Sequence, residues 1–176
     1  MPTQIFGDKN TLQFEVAASD PLSLSLPCVD IHAAGIHLTA NDNAVYEPSF
    51  IFLLNKALKS FRDGTRFQPR PDIFGELRPE EIHLILADGS DDYPDTGKVS
   101  SLWGFLEFGD TTLQVLGFLI PTRGRLYLTL DMLQPGQTER GEVRVAEVST
   151  EALAQAMSAT LEVVAADYEA KKLSRS

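Results

Sequence analysis

The sequence predicts an α+β fold in which a mainly antiparallel, twisted sheet is packed by two main helices. Residues 101–133 contain three runs of strand length, separated by two short connections of turn-forming residues, and predict a central meander. Residues at about 48–62 and 150–172 repeat apolar side chains with the 3.6-residue period of a helix. Because 176 residues is close to the usual size of one domain, we expect a single α+β domain over residues 1–176.

The meander is expected to lie at the centre of the sheet. Its second strand is apolar on both faces, which is typical of a strand that is covered on both sides. The two main helices are the obvious candidates for that cover. The third strand alternates: Leu126, Leu128, Leu130 and Met132 lie on one face, and Tyr127, Thr129 and Asp131 lie on the other.

Shorter strands are predicted on either side of these elements. Residues 4–6 and 12–16 have the composition or alternation of strands, and residues 28–39 predict one bent strand or a tight hairpin that turns near Gly35. Residues 141–148 predict a last alternating strand, directly before the C-terminal helix.

The segment between the first helix and the meander is less regular. Residues 66–71 predict a loop, because they contain two prolines. Residues 79–87 predict a short helix with proline and two acids in its first turn, and a strand at 82–86 is the alternative. Residues 90–97 predict an acidic, turn-rich loop that leads into the meander.

The charge balance is strongly acidic, with 25 acidic residues against 15 basic ones and a net charge of −10. An acidic surface repels phosphate backbones and anionic lipids, which argues against nucleic acid or a membrane as a partner and suits a basic protein. The alternative explanation for the excess of acidic residues is that they serve only to keep the protein soluble. A single cysteine, Cys28, and the lack of a secretory pattern or an apolar run of about 18 residues predict a cytoplasmic protein.

Two groups of polar residues could carry chemistry. Asp30 and His32 would project from one face of a strand with His37 nearby, a donor set that could bind a transition metal. Their spacing matches no helical zinc motif, so partly exposed strand residues are the favoured interpretation. No metal or other cofactor is predicted, and no nucleophile motif or phosphate-binding loop indicates an enzyme.

The second group is an acidic loop that carries Asp88, Asp91, Asp92, Tyr93 and Asp95. Its carboxylates lack the alternating register of a calcium loop. Clustered carboxylates beside a tyrosine can instead imitate a phosphate-rich substrate and fill a cationic cleft, so we expect these five residues to contact a partner. Glu139 and Glu142 are expected to form a second contact patch, and a solvated loop is the alternative for the first.

Several short segments resemble a known family. They are residues 5–10, the strand ending near 14–16, residues 31–38 around Gly35, and the run Gly141-Glu142-Val143 before the last helix. Together, over about the first 65 and the last 35 residues, they resemble bacterial polymorphic-toxin immunity proteins, in particular immunity protein family 42. The resemblance implies a cytosolic, non-enzymatic inhibitor that binds its cognate toxin stoichiometrically and has no catalytic residues.

Two other functions are compatible with the residues. A small metal-dependent or small-molecule-binding protein would use Asp30, His32 and His37. A secretion-system adaptor would escort an effector protein without inhibiting it. Neither has a motif of its own in the sequence, so the immunity protein is the leading prediction.

Overall fold

The computed structural model describes residues 3–17, 26–62, 64, 66–93, 95–133 and 141–174. These residues form two antiparallel sheets of four strands each and five α-helices, so the predicted α+β class is confirmed. The strands divide between two sheets, whereas the sequence predicted one. Among the described helices, none has both the length and the apolar character that a membrane span requires.

The first sheet is built in sequence order from the N-terminal part of the chain. Its strands are β1 (Gln4–Gly7), β2 (Leu12–Val16), β3 (Val29–Ala33) and β4 (Ile36–His37), each antiparallel to the next. The tight hairpin predicted as one alternative for residues 28–39 is therefore confirmed. Ala34 and Gly35 at its turn have φ angles of 46° and 79°, the left-handed conformation that two-residue hairpin turns favour.

The second sheet is the predicted meander, extended by one strand. Its strands are β5 (Gly104–Phe105), β6 (Val115–Thr122), β7 (Arg125–Met132) and β8 (Arg144–Val148), again antiparallel in sequence order. A two-residue turn at Arg123 and Gly124, both with positive φ, joins β6 to β7.

The helices are α1 (Glu47–Arg62), α2 (Pro71–Phe74), α3 (Pro79–Asp88), α4 (Thr96–Trp103) and α5 (Thr150–Ser174). The two main helices, α1 and α5, were predicted within two residues at each end. The helix predicted at 79–87 is confirmed as α3, and the alternative strand is wrong. The sequence did not predict α2, which begins at the last residue of the predicted loop 66–71, or α4.

The first strand of the meander is much shorter than the sequence predicted. Residues 101–103 belong to α4, and only Gly104–Phe105 pair with β6. The physical reason is a helical spacing that begins before residue 101: Val99 and Trp103 are four residues apart and both are buried on one side of α4.

The larger core combines apolar side chains of both sheets with those of α1 and α5. Phe14 of β2, Phe50 of α1 and Phe108, which follows β5, meet at its centre. Their rings contact each other edge to face, with centroids 5.5–6.5 Å apart. Such edge-to-face contacts stabilise the fold beyond the burial of the rings themselves.

A second core lies on the opposite face of the second sheet. There Phe118 and Ile120 of β6 pack with Trp103 of α4 and Ile82 of α3. The prediction that the middle strand is buried on both faces is confirmed. The prediction that the two main helices supply both covers is wrong, because α3 and α4 cover this face.

A buried ion pair joins the end of α5 to the start of α1. Lys171, only 2% exposed, places Nζ 3.1 Å from Oε1 of Glu47 and 2.8 Å from Oδ2 of Asp167. Burial alone would lower the pKa of Lys171, but its hydrogen bonds to Asp167 and Glu47 outweigh that effect and raise the pKa above its ordinary 10.5. The contribution of the Lys171 charge to stability is therefore fully present at neutral pH and is lost as the pH rises through the raised pKa.

Replacing Lys171 with Met is expected to lower the free energy of unfolding by roughly 3 kcal/mol, because two carboxylates would lose the ammonium group between them. Urea denaturation followed by circular dichroism measures the loss. Lys172→Met is the matched control: Lys172 and its partner Glu169 are both exposed, so the expected loss is about 1 kcal/mol or less. Equal losses in the two variants would contradict a stabilising role for the buried pair.

Candidate functional site

The acidic loop predicted from the sequence connects α3 to α4 in the structure. Asp88 is the last residue of α3 and Asp95 directly precedes α4, with Asp91 and Asp92 between them. All four side chains are exposed. The two helices pack on the second sheet, so the loop between them is held at both ends by the second core.

Tyr93 fixes the middle of this loop. Its ring stacks on Phe74, with centroids 6.2 Å apart and the two planes inclined by 26°. Its backbone N–H donates to the carbonyl of Ser90 (3.1 Å), and the Ser90 hydroxyl accepts from the N–H of Asp92 (3.3 Å). Tyr93 is half-buried and packs against the second core, so it anchors the loop, and its contact with a partner stays a prediction.

The charges of the loop are unequally compensated. Lys98 donates to Asp95 Oδ1 at 2.9 Å, and this hydrogen bond lowers the pKa of Asp95 below its ordinary value. Within the part of the chain that the structure describes, Asp88, Asp91 and Asp92 lie in no ion pair. These three carboxylates therefore carry most of the negative potential of the loop.

The second predicted patch is only partly described. Glu139 lies outside the described residues. Glu142 is exposed, immediately before β8, and its Oε2 lies 3.6 Å from Nη2 of Arg144. One carboxylate that already has a cationic neighbour makes a weaker contact site than the loop between α3 and α4.

The histidine group predicted from the sequence does assemble, on the face of the first sheet opposite its core. His32 and His37 pair across β3 and β4, and their rings stack with centroids 4.3 Å apart. Nε2 of His37 lies 2.9 Å from Oδ1 of Asp30. Nε2 of His32 lies 3.4 Å from Oε1 of Glu15, which also receives a hydrogen bond from Gln13.

This arrangement is a hydrogen-bonded surface network. The carboxylates of Glu15 and Asp30 are already shared: Lys9 lies 2.8 Å from Glu15, and Asn43 donates to Asp30 at 3.0 Å. Among the described residues, no three or more His, Cys, Asp or Glu side chains form a group that could hold a metal ion.

Sequence reasoning missed a third group, centred on His83 of α3. This side chain is fully buried, with Nδ1 2.8 Å from Oγ1 of Thr129 and Nε2 3.2 Å from Oδ2 of Asp131. The sequence did contain a signal for this group: one face of β7 is polar, and polar side chains need hydrogen-bond partners when another element covers them. Because no substrate reaches a side chain with 0% exposure, we interpret the group as a link between α3 and β7.

The pKa of His32 is lowered below the ordinary 6.5, chiefly because burial disfavours its charged form and also because of the positive charges of His37 and Lys9. In unfolded chains His32 would bind a proton more readily than in folded ones. The folded state is therefore destabilised as the pH falls below about 6.5.

His32→Gln is expected to reduce the loss of melting temperature between about pH 7.5 and about pH 5.5, because the variant has no imidazole at this position to be protonated. Differential scanning calorimetry at three pH values in this window measures the slope. The variant and the wild type are compared by the slope of melting temperature against pH. Their absolute melting temperatures are not compared, because the substitution also removes the packing of His32 on His37. A variant that loses melting temperature as steeply as the wild type would rule out His32 as the source.

Comparison with known proteins adds no relative: no family model matches the sequence, and no curated protein or solved structure matches it either. The function is therefore inferred from the residues and their arrangement.

Proposed function

We propose that the protein binds a cognate secreted or contact-delivered bacterial toxin in the cytoplasm and neutralises it by stoichiometric occlusion. The observation that carries the proposal is the loop between α3 and α4, which presents the exposed carboxylates of Asp88, Asp91 and Asp92 from a fixed backbone. The resemblance of the terminal segments to immunity protein family 42 supports the same function.

Electrostatics favours a basic partner. A net charge of −10 raises the local concentration of a cationic protein, and a focused acidic patch orients it during encounter. Because the stacking of Tyr93 on Phe74 anchors residues 90–93, binding requires little additional ordering of that backbone. A pre-ordered acidic loop is suited to fill a cationic cleft of an enzyme.

The loop alone is too small to form a stable complex. A standard interface covers about 800 Å² on each partner, which is more than the few residues between α3 and α4 supply. Further surface must therefore contribute, and Glu142, which the sequence predicts as a second contact, is one candidate. We assign the loop the role of steering and orientation, with further affinity coming from contacts that exclude water.

The double substitution Asp91→Lys with Asp92→Lys is expected to slow association with the toxin about tenfold or more at low salt, because it reverses the field that guides encounter. The substitutions are at exposed loop positions and should change stability by about 0.5 kcal/mol or less. Surface plasmon resonance against the product of the neighbouring gene measures the rate. Growth during co-expression of the two genes measures protection.

Glu162→Lys with Glu169→Lys is the matched control, since it reverses two exposed charges on α5 and leaves the loop intact. This control should bind and protect almost as well as the wild type. Full protection by the Asp91 and Asp92 variant would show that the loop is not the contact. A stable complex that never rescues growth would instead identify an effector adaptor.

A further inference from the structure

A cavity of about 290 Å³ lies mainly between two connections of the chain. One connection joins β4 to α1, the other joins β5 to β6, and Leu26, which precedes β3, completes the lining. The cavity is distinct from both the acidic loop and the histidine pair. Its volume is at the lower limit of small-molecule sites, so it suits a single side chain or a group of that size.

The floor of the cavity is apolar and rigid. Val45, Phe50 and Phe108 line it, and each is no more than 2% exposed. The rings of Phe50 and Phe108 meet edge to face in the larger core, with centroids 6.5 Å apart. A hydrocarbon chain that enters the cavity therefore contacts a surface that is already ordered.

The rim of the cavity is acidic. It carries the exposed carboxylates of Asp42 and Asp110, one from each connection, and the ring of Tyr46, which is 64% exposed. Asp42 accepts a hydrogen bond from the N–H of Ala44 (3.0 Å). In the described part of the chain, neither carboxylate lies in an ion pair with a lysine or arginine.

Thr111 also lines the cavity, and its hydroxyl is unusual. The residue is 5% exposed, and Oγ1 has no hydrogen-bond partner among the described residues. The next residue is a useful contrast: Oγ1 of Thr112 accepts from the N–H of Phe108 (3.0 Å) and donates to the carbonyl of Gly109 (3.2 Å). A buried hydroxyl without a protein partner is an exception in folded proteins, so Thr111 has hydrogen-bonding capacity that a bound group can use.

We infer that this cavity receives a lysine or arginine side chain of the basic partner. The methylene stem would pack on Val45, Phe50 and Phe108, and the cationic head would lie between Asp42 and Asp110 near the Tyr46 ring. Rotation of Thr111 would let its hydroxyl accept a hydrogen bond from that head. The inference depends on the proposed function in one respect, since it takes the partner to be a basic protein.

An anion is the competing occupant, because Ser49 in the first turn of α1 also lines the cavity. A helix N-terminus carries about half a positive elementary charge. The carboxylates of Asp42 and Asp110 together carry about two negative charges, which outweigh it. The net field at the rim therefore favours a cation.

Binding to the purified protein is tested first with n-butylguanidinium, a probe that has the head and stem of an arginine side chain. In a ¹H–¹⁵N NMR titration we expect saturable shifts at Gly109, Asp110 and Thr111, with a dissociation constant of about a millimolar. The neutral analogue 1-butanol should bind at least about tenfold more weakly, because it lacks the charge. Equal binding of the two probes, or shifts spread evenly over the acidic surface, would overturn the inference.

Variants of the rim and of Thr111 sharpen this test. Asp42→Asn with Asp110→Asn should weaken probe binding about tenfold or more, whereas Glu162→Gln with Glu169→Gln, the same change of charge on α5, should leave it unchanged. Thr111→Val should weaken binding and raise the melting temperature, since it removes an unpartnered hydroxyl. Thr112→Val should lower the melting temperature, since it removes a hydroxyl that makes two hydrogen bonds. The reverse order for the two threonines would contradict the role of Thr111.

The source of the side chain is tested with the toxin itself. If a partner side chain occupies the cavity, Asp42→Asn with Asp110→Asn should increase the dissociation rate of the complex about tenfold, while the Asp91 and Asp92 variant acts mainly on association. A rim variant that loses the probe but keeps toxin binding would overturn the protein side chain as occupant and indicate a free amine. Failure of the proposed function is recognised separately, because probe binding needs no toxin.

Discussion

The strand β6 is buried on both of its faces, and this double burial requires two separate layers of cover. Leu119 contributes to the larger core, where the first sheet, α1 and α5 supply the opposing surface. Phe118 and Ile120 point the other way and need α3 and α4. Uncovering either face would expose large apolar side chains to water, at about 1.5–3 kcal/mol for each of them. The middle layer therefore determines where the other elements lie.

Polar contacts then fix the register of these layers. His83 connects α3 to Thr129 and Asp131 of β7, on the face that an alternating strand would ordinarily expose to water. On the other side, Lys171 and Glu47 join the end of α5 to the beginning of α1. Both contacts are buried, so each specifies one arrangement of its helix, because a shifted helix would leave a buried polar group without its partner. The acidic loop inherits this rigidity from α3 and α4.

Periodic segments were predictable from the sequence, and segments that depend on distant partners were not. The stripes of α1 and α5 and the alternation of β7 are local patterns, and the structure has them at the predicted positions. By contrast, α4 ends inside a run that also has the composition of a strand, and its burial against β6 decides in favour of a helix. The predicted acidic loop 90–97 is two residues too long, because Thr96 and Gly97 begin α4, but Asp91, Asp92 and Asp95 are exposed as its turn residues suggest. The His83 group escaped detection because its members are 46 and 48 residues apart in sequence.

The cavity beside α1 was not predicted either, because the two connections that supply most of its lining contain no recognisable motif. Its acids also differ physically from those of the loop between α3 and α4. Carboxylates in the loop face bulk water, where salt screens them within about 10 Å, so they influence encounter more than the stability of a complex. Asp42 and Asp110 lie at the rim of an apolar floor, where a bound stem would exclude water and strengthen each charge contact. If a basic partner contacts both surfaces as proposed, the loop would speed association and the cavity would slow dissociation, although the two sites share only the sign of their charge.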